Sequence, residues 1–194
     1  MTLRCPGSER VRLALRQARL VAVMLYCLGV SASSLRAATP SLSERKAAFL
    51  LNFAKFVDWP IDFQNPTTTN AIIIGILGED PLADALPMIV KNRTVKGHRI
   101  VVRKCRLWDD LSACHILFVC RSEAKRSAPV LRALNRRSVL TVGDQDYFLN
   151  QGGMIHFVTE GQDLRFEINI RTAEEAGLRL SSQLLSVARS VHKQ

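Results

Sequence analysis

Four short runs of almost unbroken apolar residues, spaced along the middle of the chain, limit what it can fold into more than any other feature. They are Ala71-Ile-Ile-Ile-Gly-Ile-Leu77, Arg99-Ile-Val-Val-Arg103, His115-Ile-Leu-Phe-Val119 and Val139-Leu-Thr-Val142. The first, and the third which is again apolar throughout, are what a strand buried on both faces requires, and the other two read as further strands. Helix signals stand between them. Asp80 caps and Pro81 opens a helix to about Val90, with a bend expected near Pro87. Trp108 to Leu111 suits a short helical turn. Ser122 caps a helix to about Asn135, which Pro129 is expected to kink or shorten. Strands alternating with helices in this way imply a parallel sheet covered on both faces.

The two ends of this block read differently. Before it, Ser43 is expected to cap a helix whose apolar residues recur at Ala47, Leu50, Leu51, Ala54 and Val57, ending at Trp59-Pro60. The stretch 65–70 reads as a polar loop. After the block, Met154 to Val158 and Leu164 to Asn169 alternate apolar with polar residues around a polar turn, which predicts an antiparallel hairpin at the sheet edge. A last helix is expected over Ser181 to Val191. The fold class is therefore α/β: a single three-layer Rossmann-like domain over 42–191, with a mostly parallel sheet and a C-terminal antiparallel hairpin.

Charge and targeting are linked. The formal net charge is +10, but residues 1–37 hold six arginines against Glu9, a local +5 that leaves +5 for the rest. A mild excess of this size bears on solubility rather than on nucleic-acid binding. The arginine-bearing start, the apolar run Leu20 to Val30 and the small residues Ser31 to Ser34 have the order of a secretory signal peptide. The apolar run is shorter than the roughly 20 residues a membrane span needs. Cleavage is expected after Ala37, releasing a periplasmic domain.

Of the five cysteines, Cys5 and Cys27 fall in the leader, leaving Cys105, Cys114 and Cys120. An oxidising compartment favours one disulfide and one free thiol. Cys114 and Cys120 bracket one expected strand and stand too far apart to bond. The pairing is then Cys105 with Cys114 or Cys105 with Cys120, or else all three are small buried hydrophobes.

No catalytic or metal constellation emerges, and no cofactor is expected. The loop Gly75 to Asp80 follows the first strand, where doubly wound folds bind ligands. It has no Gly-x-Gly-x-x-Gly, and Glu79 with Asp80 would repel a phosphate. None of His98, His115, His156 and His192 pairs with a second metal-type ligand at helical spacing. Cys120 has no evident orienting base. Arg121, Lys125, Arg126, Arg132, Arg136 and Arg137 read as a solvated face, with a docking surface for an acidic partner as the alternative. The most suggestive polar group is Gly152-Gly153 before the hairpin together with Glu167 and Asn169, which share a strand face.

Several segments together resemble one family. Lys46-Ala-Ala-Phe-Leu-Leu-Asn-Phe-Ala-Lys-Phe-Val-Asp-Trp-Pro60 resembles the opening motif of YfiR-type periplasmic proteins. So do Cys114 to Val119, Val139-Leu-Thr-Val-Gly-Asp144, Gly152-Gly-Met-Ile-His-Phe157, Arg165-Phe-Glu-Ile-Asn169 and Ala176 to Leu185. The resemblance implies a periplasmic, non-enzymatic regulator that inhibits a membrane diguanylate cyclase or sensor kinase through its periplasmic region. It also implies an outer-membrane lipoprotein that relieves the inhibition, control of cyclic-di-GMP and biofilm behaviour, and scope for a homodimer. Arg179, with Ser181 beside it, is the residue the resemblance marks for partner or ligand contact. Gly75 stands where the resemblance would place a disulfide partner for Cys114, so redox control through the family's own bonds is not carried over. The alternative reading is a periplasmic small-molecule-binding module serving a sensor or transport complex.

Overall fold

The computed structural model describes residues 39–60 and 71–193. The expected signal peptide and the polar loop at 65–70 lie outside them. The first helix, α1 (Leu42–Phe56), starts one turn-half earlier than Ser43 would place it, because Ser41 is its cap. Ser41 Oγ accepts the Glu44 amide at 3.2 Å while the Glu44 carboxylate accepts the Ser41 amide at 2.6 Å. Ser43 has Lys46 three residues on, which cannot return such a bond. Those bonds hold the Glu44 carboxyl below its usual range, the Ser41 amide contributing most.

Among the described residues eight strands form one sheet, and two more form a small separate one. The parallel centre consists of β2 (Ala71–Leu77), β4 (His98–Cys105), β5 (Ile116–Val119), β6 (Leu140–Gly143) and β7 (Ile155–Glu160). β3 (Thr94–Val95) runs antiparallel to β4 at one edge. β8 (Asp163–Asn169) pairs antiparallel with β7, with Ile155 opposite Ile168 and His156 opposite Glu167. With a last strand, β10 (Ser190–His192), the spatial order is β10-β8-β7-β6-β5-β2-β4-β3. This is the expected α/β, Rossmann-like arrangement.

The edge differs from the reading above. The hairpin is interior, because β10 (Ser190–His192) adds to β8 in parallel, placing Val191 opposite Ile168. The C-terminal helix α5 (Ser182–Val187) is correspondingly short. Local apolar spacing reads as helix to Val191, but the open edge of β8 supplies backbone partners that no local pattern announces. A further helix, α4 (Ile170–Glu175), follows β8 directly and is capped by Asn169, which accepts the Thr172 amide at 3.2 Å. β9 (Arg179–Leu180) pairs with β1 (Val57–Asp58) in the small sheet, so a strand rather than Trp59-Pro60 follows α1 at once.

The prolines settle in two ways. Helix α2 (Leu82–Val90) continues through Pro87. The segment expected as one helix from Ser122 is a 3₁₀ stretch, Arg121–Arg126, followed by α3 (Ser127–Ala133). Pro129 thus falls in the first turn of α3, where its missing N–H breaks no helical bond.

Two cores flank the sheet. On one face α1, α2, α4 and α5 cover Ile72, Ile74, Ile76, Phe118 and Val142. Phe49 and Phe53 of α1 pack against Phe157 and Phe166, with centroids 5.1–5.9 Å apart. The other face is thinner: α3 and Phe148 cover Leu77, Leu117 and Val119.

Candidate functional site

Strand order reverses between β2 and β5. From β2 the chain crosses to β4 on one side, then returns past β2 to β5, β6 and β7 on the other. In open α/β sheets the crevice beyond the carboxyl ends of two such strands is the usual ligand site. Here it is occupied by the protein itself. Lys46 Nζ, from α1, lies 2.8 Å from Asp80 Oδ2 after β2 and 2.6 Å from Asp144 Oδ2 after β6. It also sits 5.2 Å from the centroid of the Phe118 ring. Burial alone would lower the Lys46 pKa, but hydrogen bonds to Asp144 and Asp80, with their charges, hold it above the ordinary lysine range. Asp80 also caps α2, its Oδ1 accepting the Leu82 amide at 2.7 Å.

The loops around this crevice close on one another. Gly78 has φ +97°, and a Cβ there would stand 2.5 Å from Ser122 Oγ and 2.7 Å from Glu123 Cγ. Ser122 Oγ accepts the Glu79 amide at 2.9 Å. Cys120, fully buried beside the triad, has its thiol pushed up to about 12, mainly by burial and then by Asp80 and Asp144. A thiol held protonated at neutral pH is not a nucleophile.

The open site lies elsewhere, on the thinner face over β7, β8 and β10. Leu164, Phe166 and Ile168 point into the α1 core, so the alternate residues Glu167 and Asn169 point away from it. His156 stands opposite Glu167, and His192 stands opposite Asn169. These four form the floor of a cleft of about 510 Å³. Its wall is the connector from β6 to β7, through Tyr147, Asn150 and Gly152. Tyr147, 75% exposed, projects from the rim with φ +61°.

Charge in the cleft is organised around Glu167. Its Oε2 lies 3.8 Å from both His156 Nδ1 and His192 Nε2, beyond hydrogen-bond range; His192 Nε2 instead bonds Ser190 Oγ at 3.0 Å. Its Oε1 lies 3.1 Å from Arg189 NH1, and Arg189 Nε lies 2.8 Å from Glu160. Imidazoles, carboxamides, a carboxylate and a phenol are groups that can hydrogen-bond a polar partner. Among the described residues no group of three or more His, Cys, Asp and Glu is placed to hold a metal ion.

The residues singled out from the sequence are partly brought together. Gly152, Glu167 and Asn169 line the cleft. Gly152 has φ +94°, which only glycine adopts freely, and Gly153 lies under Phe148, whose ring a Cβ would meet at 2.3 Å. Arg179 and Ser181 are outside it. Arg179 is exposed opposite Asp58 in the small sheet, and Ser181 caps α5 by accepting the Leu184 amide at 3.2 Å. The basic residues from Arg121 to Arg137 are all exposed, with Arg126 paired to Glu123 and Arg121 facing Asp146. Cys105, Cys114 and Cys120 are free thiols, and Cys120 belongs to the opposite core from the other two. The sheet therefore stands between Cys105 and Cys120.

Three features escaped the sequence reading. Lys46 announces itself only as a cation four residues before Leu50 on the apolar stripe of α1. His156 and His192 carry no local signal, since they meet through strand register alone. Tyr147 and Asn150 lie in a connector without periodicity.

Compared with known proteins, residues 43–189 match the family model described as YfiR/HmsC-like. No curated protein matches the chain.

Proposed function

Because the chain belongs to the YfiR/HmsC-like family, we propose that it is an exported regulator that works by binding. In this reading residues 1–37 are a cleaved signal peptide and 42–191 the working domain. The domain engages the periplasmic region of a membrane signalling protein, a diguanylate cyclase before a sensor kinase, and holds it in its less active state. A regulator needs only to bind one state of its target better than the other, by the free energy it is to shift. The observation that carries this reading is the pairing of a self-filled ligand crevice with an open polar cleft. Lys46, Asp80 and Asp144 occupy the place where a Rossmann-like enzyme would hold its cofactor. The groups at Glu167, Asn169, His156 and His192 stay accessible. No helix among the described residues is long and apolar enough to cross a membrane, which suits a partner met at the membrane surface.

The test is the cyclic-di-GMP content of cells with the gene, without it, and with a form lacking residues 1–37. The expected result is a rise on deletion that only the exported form reverses. No change on deletion would overturn the cyclase reading. Glu167→Lys, which reverses the charge at the cleft floor, is expected to behave like the deletion while the protein still accumulates.

The cleft also supports a second reading, a small-molecule-binding module for a sensor or transport complex. A volume of about 510 Å³ lies within the range of small-ligand pockets. A thermal-shift screen of amino acids, nucleotides and vitamins addresses it, since a ligand that binds only the folded state raises the melting temperature. The expected result is a stabilising ligand whose effect Glu167→Gln removes. A screen in which nothing stabilises the protein would overturn it.

A further inference from the structure

Gly75 interrupts the otherwise side-chain-filled strand β2, and backbone freedom is not the reason, since it is not among the residues of positive φ. The reason lies above it. A Cβ at Gly75 would stand 2.6 Å from Cys114 Sγ, 3.0 Å from Cys105 Sγ and 3.1 Å from Leu117 Cδ1. The missing side chain makes room for two sulfur atoms 4.0 Å apart. Cys105 ends β4, Cys114 follows the 3₁₀ turn Leu111–Ala113, and the two are nine positions apart in sequence.

We propose that Cys105 and Cys114 form a thiol–disulfide site, oxidised by a low-molecular-weight or protein disulfide that reaches Cys105 from the surface. A disulfide has its sulfurs about 2.0 Å apart, so the pair must close by about 2 Å, a movement that side-chain rotation over an empty Cβ position can supply. The route in exists: Cys105, 6% exposed, lines a cleft of about 610 Å³ together with Gly78, Arg106, Trp108 and Glu123. Cys114 is fully buried. The two thiols therefore have different parts to play.

Chemistry divides them in the same way. The hydrogen bond from Cys114, with help from Arg103, lowers Cys105 to about 6, whereas donating that bond and burial push Cys114 up. An Arg103 guanidinium nitrogen also lies 3.6 Å from Cys114 Sγ. The Cys105 thiolate attacks one sulfur of the oxidant, breaking its S–S bond and expelling one thiolate. Cys114 then gives up its proton and attacks Cys105 Sγ, forming the intramolecular bond and expelling the second thiolate. Two protein thiols are oxidised, one external disulfide is reduced to two thiols, and the two protons released pass to those thiols through solvent.

The reaction is tested on the protein purified from cells expressing the full chain, independently of any signalling partner. The protein is reduced, exchanged into oxidised glutathione, alkylated with iodoacetamide, cut with trypsin and weighed. The expected product is the dipeptide 105–106 joined by a disulfide to peptide 107–121, with Cys120 alkylated. Recovery of Cys105 and Cys114 both alkylated would overturn the proposal. So would Cys105 stalled as its glutathione adduct, or a bond between Cys114 and Cys120. Gly75→Ala keeps every thiol but fills the space, and is expected to slow bond formation at least tenfold. Bond formation in that variant at the wild-type rate would refute the role given to Gly75. Circular dichroism reports whether the variant is folded, and the wild-type experiment decides the bond itself in either case.

Discussion

The crevice between β2 and β5 and the cleft over β7, β8 and β10 are both polar places at the surface of one sheet, yet they are built on opposite terms. In the crevice every charge answers to the protein: one lysine, 5% exposed, bridges two carboxylates from different loops. In the cleft the charges are also balanced, through Arg189 and Glu167, but the imidazoles and carboxamides around them still face outward. The first arrangement stabilises a fold by pairing its lysine within the protein. The second keeps polar groups at the surface, where they can be used for recognition. Fold alone points to the crevice and the side chains to the cleft, because a fold type does not carry its function with it.

The contrast yields graded expectations. Lys46→Ala should have the largest effect, a loss of about 3–5 kcal/mol in urea unfolding, since it leaves two partly buried carboxylates without their shared cation. A loss under about 1 kcal/mol would mean the crevice is held by packing instead. The same triad has a pH signature. Because the Lys46 pKa is raised above the ordinary 10.5, its contribution is complete below that value and is lost as pH climbs through the higher folded one. Wild type should accordingly lose its advantage over Lys46→Ala only in strong alkali.

Smaller effects belong to the cleft. Gly152→Ala forces a side chain into φ +94° and should cost about 1–3 kcal/mol, deforming the wall. Asn169→Ala removes the cap of α4 and should cost about 1 kcal/mol by thermal melting. Glu167→Gln and His156→Ala, at partly buried side chains, should cost no more than about 1.5 kcal/mol. They should nevertheless weaken partner capture from native membranes at least tenfold. If these two variants unfolded the protein like Lys46→Ala, the division between a structural crevice and a recognition cleft would fail.

Much of the scaffold could be read before folding was considered. Strands β2, β5 and β6 stand where apolar runs lie in the sequence, because a strand buried on both faces has no polar alternate to obscure it. Helix ends were less legible. Ser41 and Ser43 are both acceptable caps, and only the return bond from Glu44 decides between them. Gly152, Glu167 and Asn169 were visible as glycines before a strand and as polar residues sharing a strand face. Arg179 and Ser181 stood out by resemblance and turned out to lie away from that group.

The chain's own order of residues determined the fold class, the family and the polar face of β8, since each depends on local periodicity or on motifs contiguous in the chain. Tertiary structure alone decided three things. It placed Lys46 between carboxylates 34 and 98 positions distant. It turned the end of an apparent helix into strand β10, bringing His192 beside Glu167. It set two thiols over a strand position that has no side chain, Gly75. Each of these rests on strand order and register, which are settled by hydrogen bonds and packing between distant segments.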